Sequence, residues 1–297
     1  MQRRISLLLT LISFLLALQI NAQQGSSLHE LKNAPVKTFF SNGVDQRAGT
    51  MANRIGKAIG FNQQLTGFKP EVTLLVLNEA DWKLYARNVV YGMPHYRGAD
   101  SLVLAADDNP FWKSFLPPLN QLPEQLSKKI QEVYRLEDGT VSMRPFFDLL
   151  AIHELGHAFQ SQAKLKTQRF WMGELFCNIF LHTYIAENEP GQLPALTLFP
   201  QMVTGAGSKG YTYTHLNDVE EHYDEIAMNH PKNYGWFQCR WHSAAATIYD
   251  AGGKELYIRL WKALKDQKEK LPDEQLGAFL ETKVDRSVAD VMRNWDR

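Results

Sequence analysis

The stretch PFFDLLAIHELGHAF, residues 145–159, combines a long apolar helical pattern with ionisable side chains near its centre. Proline is tolerated in the first turn of a helix, so Pro145 marks the start of one. Six large apolar side chains cover much of the circumference of this helix: Phe146, Leu149, Leu150, Ile152, Leu155 and Phe159. A helix that is apolar nearly all round is typically buried. We therefore expect a buried helix that carries His153, Glu154 and His157 in its second half.

His153 and His157 are four residues apart, so their imidazoles lie on one helical face and can point at a common centre. Such a pair supplies two of the three protein ligands of a catalytic zinc site. Glu154 lies beside the first ligand, where a carboxylate can take a proton from an attacking water. The pattern predicts one zinc ion per chain, with Glu154 as the general base. Two hydrogen-bonded core histidines and a surface Glu are the alternative.

A second apolar helix, about Phe170 to Ala186, contains Glu174. An HExxH helix followed by a Glu on the next helix resembles the gluzincin metallopeptidases, the thermolysin and zinc-aminopeptidase group. The resemblance implies that Glu174 is the third ligand, whereas an ordinary acid near a helix N-terminus is the alternative. His182 and Glu187 are the competing ligands. Asn178 stands where these families usually carry an acidic residue that hydrogen-bonds a ligand histidine, and this departure removes a negative charge.

Hydrolysis of a carbonyl compound also needs a donor for the oxyanion. In the zinc aminopeptidases a Tyr stands just before a helix that ends near a Gly-Gly pair. Here residues 233–236 precede a helix leading to Gly252 and Gly253, so the resemblance implies Tyr234 as that donor. Tyr223, His222 and His230 compete for the same role.

The fold class implied is α+β, a gluzincin (zincin-like) catalytic domain. It comprises a small mixed N-terminal sheet with helices, about residues 40–120, and a mainly helical lobe, about residues 121–297. Val72 to Leu77 and Ser101 to Ala106 are predicted strands. The resemblance places the latter at the sheet edge that pairs with extended peptide, and an ordinary internal strand is the alternative. The segment from Glu187 to Asn217 is predicted to be irregular, since it contains three prolines and several glycines. Four helices are then predicted: Asp218–Asn229, Trp236–Asp250, Lys254–Asp266 and Asp273–Thr282.

The N-terminus has the composition of a cleaved signal peptide. Met1 to Arg4 is basic, Ile5 to Ile20 is almost wholly apolar, and Ala22 offers a small residue for cleavage. The apolar run is shorter than the ~20 residues of a membrane-spanning helix. We therefore expect residues 1–22 to be removed, residues 23–297 to form a single domain, and the protein to be periplasmic or extracellular.

Composition narrows the class of partner. The chain has 32 Lys and Arg against 32 Asp and Glu, so it lacks the basic excess of a nucleic-acid-binding protein. Cys177 and Cys239 are the only cysteines. Export permits a disulfide between them, but a free, buried Cys177 is favoured because it lies within an apolar helix.

Together these features predict an exported, zinc-dependent hydrolase that acts on peptides or proteins. A non-catalytic exported protein that keeps the same helix pair as a structural or ligand-binding zinc site is the alternative. Retention of Glu154 argues against this alternative, because a structural site needs ligands but no base. The third interpretation is a helical binding module with an accidental motif. The sequence leaves the oligomeric state open.

Overall fold

The computed structural model describes residues 28–296 and has an α+β fold with a small mixed sheet at its N-terminal end. The predicted signal peptide, residues 1–22, lies outside the described residues. The sheet has five strands: β1 (His29–Glu30), β2 (Lys37–Phe40), β3 (Thr73–Leu77), β4 (His95–Arg97) and β5 (Ser101–Ala105).

The strands are arranged in the order β1-β2-β3-β5-β4. The central pairs β2/β3 and β3/β5 are parallel, and the outer pairs β1/β2 and β4/β5 are antiparallel. The expectation that Ser101 to Ala106 forms the sheet edge is therefore wrong, since β5 pairs on both sides and β4 is the edge strand. A strand of three residues is too short to show an alternating pattern, so no periodicity in the sequence indicates β4.

Twelve α-helices account for most of the remaining described chain. The first four are α1 (Asp45–Thr66), α2 (Glu79–Tyr85), α3 (Pro110–Lys113) and α4 (Glu124–Tyr134). The next four are α5 (Arg144–Gln162), α6 (Phe170–Asn188), α7 (Leu193–Gly205) and α8 (Leu216–Asn229). The last four are α9 (Pro231–Gly252), α10 (Lys254–Asp266), α11 (Asp273–Lys283) and α12 (Arg286–Arg293). Short 3-10 turns occur at Leu119–Gln121 and Pro190–Gln192.

Helix α7 occupies a segment that was predicted to be irregular. Pro194 lies in its first turn, where proline is tolerated, but Pro200 lies in its interior and removes a backbone donor. Ala195, Leu196 and Leu198 are buried, and their packing holds the helix together despite Pro200. Tertiary burial has overridden the local signal of the prolines.

Helix α9 begins earlier than predicted. It starts at Pro231, so Tyr234 lies within its first turns and not in a preceding loop. The helix ends at Gly252, and Gly253 has a positive φ of 60°, a conformation that favours glycine. The Gly-Gly pair therefore marks the helix end as predicted.

Two contacts fix helix α5 in place. The guanidinium of Arg47 on α1 donates to both carboxylate oxygens of Asp148 on α5, at 2.7 and 3.0 Å, and its Nε donates to the Ala105 carbonyl at 2.9 Å. At Gly156, a Cβ would lie 2.8 Å from the sulfur and 3.1 Å from the Cα of Cys177. Helices α5 and α6 therefore approach each other closely where only glycine fits.

The buried apolar side chains of the sheet lobe and the helical lobe form one continuous core. Both cysteines are buried and free, in agreement with the interpretation favoured for Cys177. Among residues 28–296, no helix is both long and apolar enough to cross a bilayer.

Candidate metal centre

Helix α5 carries His153, Glu154 and His157 into the interior between the sheet edge and helix α6. His153 is buried, while Glu154 and His157 are half-buried and face the remaining open space. The two imidazole rings are 5.1 Å apart between centroids and nearly perpendicular. The helix thus presents both rings on one side, as the four-residue spacing predicts.

Both imidazoles turn the same nitrogen toward Glu174 of helix α6. The Nε2 atom of His153 lies 3.2 Å from Oε2 of Glu174, and the Nε2 atom of His157 lies 3.7 Å from the same oxygen. Glu174 is itself buried. The three side chains that the sequence analysis named as metal ligands therefore meet at one point.

The other ring nitrogens, Nδ1, are engaged elsewhere. Nδ1 of His153 donates to Oδ1 of Asn178 at 3.1 Å, and Nδ1 of His157 lies 3.3 Å from Oε1 of Gln160. A hydrogen bond of this kind fixes the tautomer, so that Nε2 keeps its lone pair for a metal. Asn178 thus occupies the position expected of the residue behind His153, as an amide and not as a carboxylate.

Gln238 on helix α9 links Asn178 to Glu174. Its Oε1 accepts from Nδ2 of Asn178 at 3.1 Å, and its Nε2 donates to Oε2 of Glu174 at 2.8 Å. The same Nε2 donates to the hydroxyl of Tyr234 at 2.9 Å. A continuous chain of hydrogen bonds therefore runs from His153 through two neutral amides to Glu174. It fixes the positions of these two candidate ligands relative to each other.

Two tyrosines lie on the same side of Glu174. The hydroxyl of Tyr223 donates to Oε1 of Glu174 at 2.8 Å and lies 3.3 Å from the hydroxyl of Tyr234. Burial raises the pKa of both Tyr223 and Tyr234, and the negative charge of Glu174 raises it further. Both hydroxyls are therefore protonated at neutral pH and can act as donors.

Glu154 accepts a hydrogen bond from the sheet edge. The backbone N–H of Tyr96 on β4 donates to its Oε2 at 2.9 Å. Burial raises the pKa of the Glu154 carboxyl to about 7; the charge of Glu174 also raises it, whereas His157 and the Tyr96 N–H lower it. A carboxylate with such a pKa suits proton transfer near neutral pH.

The environment of Glu174 lowers the pKa of its carboxyl, whereas that of Glu154 raises it. Burial by itself would raise the pKa of this carboxyl, but the neighbouring imidazoles of His157 and His153 and the amide of Gln238 lower it well below its ordinary value. Glu174 is therefore a carboxylate, the form that binds a metal.

Cys177 offers a second set of possible metal donors, since donor atoms of His153, His157 and Cys177 lie within 4.8 Å of one another. The sulfur of Cys177 approaches Nδ1 of His157, at 3.4 Å, on the opposite side of the ring from Glu174. It is fully buried against Gly156, and burial raises the pKa of its thiol. We favour the set with Glu174, because the Nε2 atoms of both histidines point toward it. Glu174 is also already ionised.

The competing residues are not brought to this point. His182 lies two turns further along α6, and Glu187 bonds to Tyr249 and Lys254 at the surface. His222 is exposed and His230 is half-buried, and they lie next to the surface acids Glu221 and Glu225. Of the competitors for the oxyanion role, only Tyr223 reaches the cluster.

Sequence reasoning missed Gln238 and the backbone of Tyr96. Gln238 is four residues after Tyr234, so both lie on one face of α9, and this spacing was the one available signal. Its partner Glu174 is 64 residues away. Tyr96 takes part through its N–H, which no side-chain pattern can indicate.

Comparison of the chain with protein-family models, curated proteins and solved structures found no match.

Proposed function

We propose that this protein is a zinc-dependent hydrolase of gluzincin type that cleaves peptide bonds. The observation that carries the proposal is the approach of Nε2 of His153 and Nε2 of His157 to a single oxygen of Glu174, at 3.2 and 3.7 Å. Two imidazoles and one carboxylate are a donor set of catalytic zinc sites, which leave a fourth position open. The composition of residues 1–22 supports export of this enzyme.

His153, His157 and Glu174 would hold the zinc. Bound zinc supplies Lewis acidity toward the substrate carbonyl. The donors fit this role, because the Nδ1 atom of His153 is bonded to Asn178 and both oxygens of Glu174 are oriented by Tyr223 and Gln238. Such supporting contacts orient metal ligands and tune their basicity.

Glu154 is proposed as the general base. Glu154 follows His153 on α5 and is only partly buried, so its carboxylate can take a proton from the attacking water. The Tyr96 N–H bond to Oε2 leaves Oε1 free among the described residues to receive that proton. The same group can later pass the proton to the leaving amine.

Tyr234 is proposed as the donor to the oxyanion. The Tyr223 hydroxyl is committed to Glu174, whereas the Tyr234 hydroxyl accepts from Gln238 and has only the Tyr223 oxygen, at 3.3 Å, as a partner for its own proton. A preorganised donor at the developing oxyanion is a large contributor to rate.

The sheet edge supports a peptide substrate. Strand β4 pairs with β5 on one side, and within the described chain no strand covers its other side. On that open side the Tyr96 N–H points at Glu154. A peptide bound in extended form along β4 would have its backbone next to the proposed base and metal.

Zinc content and activity together test the proposal. Purified protein should contain one zinc per chain by elemental analysis, and His153→Ala, His157→Ala and Glu174→Ala should each lose it. The matched controls His222→Ala and Glu187→Gln, surface residues of the same types, should keep it. Retention of zinc by the Glu174→Ala variant would overturn the ligand set.

Activity against a mixed peptide library separates catalysis from binding. The wild-type protein should cleave peptides, and Glu154→Gln should keep zinc while losing cleavage. The alternative is a non-catalytic zinc-binding protein, which the neutral Asn178 behind His153 favours. Cleavage absent from wild-type protein that carries full zinc would establish this alternative.

A further inference from the structure

A second polar site adjoins the proposed metal centre, in a groove of about 470 Å³ between helices α6, α7 and α9. Its floor contains His182 and His242, each 6% exposed. Its rim contains Asp250 near the end of α9. A groove with buried imidazoles at its floor needs a chemical explanation, since buried polar groups normally have partners.

Neither imidazole has a protein partner for its nitrogens. No hydrogen bond joins His182 or His242 to another described residue. The His182 ring packs against Tyr249, and the His242 ring packs against Phe146 and against His153 of the proposed metal centre. Burial lowers the pKa of His182, and Asp250 only partly offsets this effect. The neutral His182 ring therefore offers one lone-pair nitrogen to the groove.

The hydroxyl groups of the groove are acceptors as well. Thr197 and Thr204 on α7 donate their protons to carbonyls of their own helix, at 2.8 and 2.9 Å. Ser243 and Thr247 on α9 do the same, at 3.0 and 3.2 Å. With each proton used in this way, each oxygen presents only lone pairs to the groove.

The charge of the groove is negative. Asp250 is exposed and makes no salt bridge within residues 28–296, and no Lys or Arg lines the groove. A metal does not account for the site, since the donor cluster close enough to hold an ion among the described residues is the one at His153. The lining thus suits a ligand that brings both a positive charge and several N–H donors.

We propose that this groove binds an alkylammonium or guanidinium group, such as a lysine or arginine side chain of another molecule. Asp250 supplies the ion pair, and His182 with the threonine and serine oxygens accepts the remaining N–H groups. The volume accommodates a side chain of this length and excludes a folded domain. Charge-assisted hydrogen bonds of this type are among the stronger polar contacts.

The groove adjoins the proposed metal centre at one end, where the ring of His242 lies 6.3 Å from that of His153 between centroids. Eight residues of α9 separate His242 from Asp250, which corresponds to about 12 Å along a helix, so the proposed ion pair lies at the other end. Binding of a cation by Asp250 therefore requires neither zinc nor peptide cleavage. It can be tested with protein treated with a chelator.

Binding of small probes to the full-length mature chain tests the inference. We would titrate Nα-acetyl-lysine methylamide, Nα-acetyl-arginine methylamide and the neutral Nα-acetyl-norleucine methylamide, following histidine-ring NMR signals and heat. The cationic probes should bind saturably and shift the His182 signal, and the neutral probe should not. Comparison of the two cationic probes shows whether an ammonium or a guanidinium is preferred.

Two variants make the test specific. Asp250→Asn should weaken binding of the cationic probes about tenfold or more, equivalent to about 1.4 kcal/mol. The control Asp266→Asn, an exposed acid at the end of α10, should bind as the wild type does. Equal binding of charged and neutral probes, or unchanged binding by a folded Asp250→Asn variant, would overturn the inference.

Discussion

Gln238 joins three groups of the candidate site through one amide. It accepts from Asn178 and donates to both Glu174 and Tyr234. The gluzincin resemblance leads one to expect an acidic residue at position 178, and a carboxylate there would have no donor to offer Gln238. The two neutral amides thus connect His153 to Glu174 through hydrogen bonds, and add no charge near the proposed metal site.

Replacing Gln238 by Leu should loosen the proposed metal site. The change removes the donors to Glu174 and Tyr234 and leaves the Asn178 amide without a partner. Loss of such a supporting contact typically costs about 10- to 100-fold in metal affinity. Competition with a fluorescent chelator measures this affinity, with Gln275→Leu on the surface of α11 as control. Equal affinity of the two variants would show that the amide chain does not support the ligands.

The two tyrosines should respond differently to loss of their hydroxyls. Tyr234→Phe should lower kcat by about 100- to 1,000-fold, the range for removal of an oxyanion donor, with zinc content unchanged. Tyr223→Phe removes a donor to Glu174 and should weaken zinc binding more than it lowers the kcat of zinc-loaded protein. Steady-state kinetics at saturating zinc check both; the reverse pattern would assign the oxyanion role to Tyr223.

At the scale of elements, the approach of α5 to α6 depends on Gly156. A Cβ at this position would meet the backbone of Cys177, which cannot swing away as a side chain could. Glu174 is three residues before Cys177, so any separation of the helices also moves this proposed ligand.

Gly156→Ala should therefore destabilise the fold by about 1–3 kcal/mol, the usual cost of overpacking a core. Gly60→Ala on α1 is the matched control. A Cβ there meets nothing within 4 Å, so the higher helix propensity of Ala should stabilise the protein by up to about 1 kcal/mol. Urea denaturation measures both, and equal effects of the two substitutions would contradict the close-contact explanation.

The elements differ in how well the sequence predicts them. Helices α5 and α6 were anticipated because their apolar residues continue for several turns. Helix α7 was missed because Pro194 and Pro200 are read locally as breakers, while the packing that stabilises it comes from distant residues. Strand β4 was missed because it has only three residues. The edge position was assigned to β5 because the gluzincin resemblance implied it.

At the scale of the whole molecule, the sheet lobe is joined to helix α5 by the Arg47–Asp148 pair. The side chains of these residues are 8% and 17% exposed, so the pair is largely shielded from water. Arg47 also bonds to the end of β5, and the contact therefore sets the distance between the sheet and the helix that carries the histidines.

Asp148→Leu should destabilise the protein by about 3–5 kcal/mol, because it leaves the Arg47 charge buried without its partner. The double variant Arg47→Leu/Asp148→Leu should lose less than the sum of the two single variants. The exposed pair Lys83–Glu79 is the control, and its removal should cost at most about 1 kcal/mol. Additive losses in urea denaturation would show that the two side chains are not coupled.

The candidate site as a whole was predictable only where its residues are close in sequence or matched a known family. The four-residue helical spacing predicted His153, Glu154 and His157. The gluzincin resemblance predicted Glu174, Asn178 and Tyr234. Their roles in zinc binding and hydrolysis remain predictions. Gln238 and Tyr96 could not be found, since what brings them to the site is the packing of α9 and β4 against α5 and α6.

The unequal exposure of the three proposed ligands sets the route by which an ion would be loaded. The side chain of His157 is 26% exposed, whereas those of His153 and Glu174 are 6% and 7% exposed. An incoming hydrated ion would meet His157 first and shed its remaining water as it passes inward to the other two. Because the Nε2 atoms of both histidines already point toward Glu174, binding of an ion would require no ring flip.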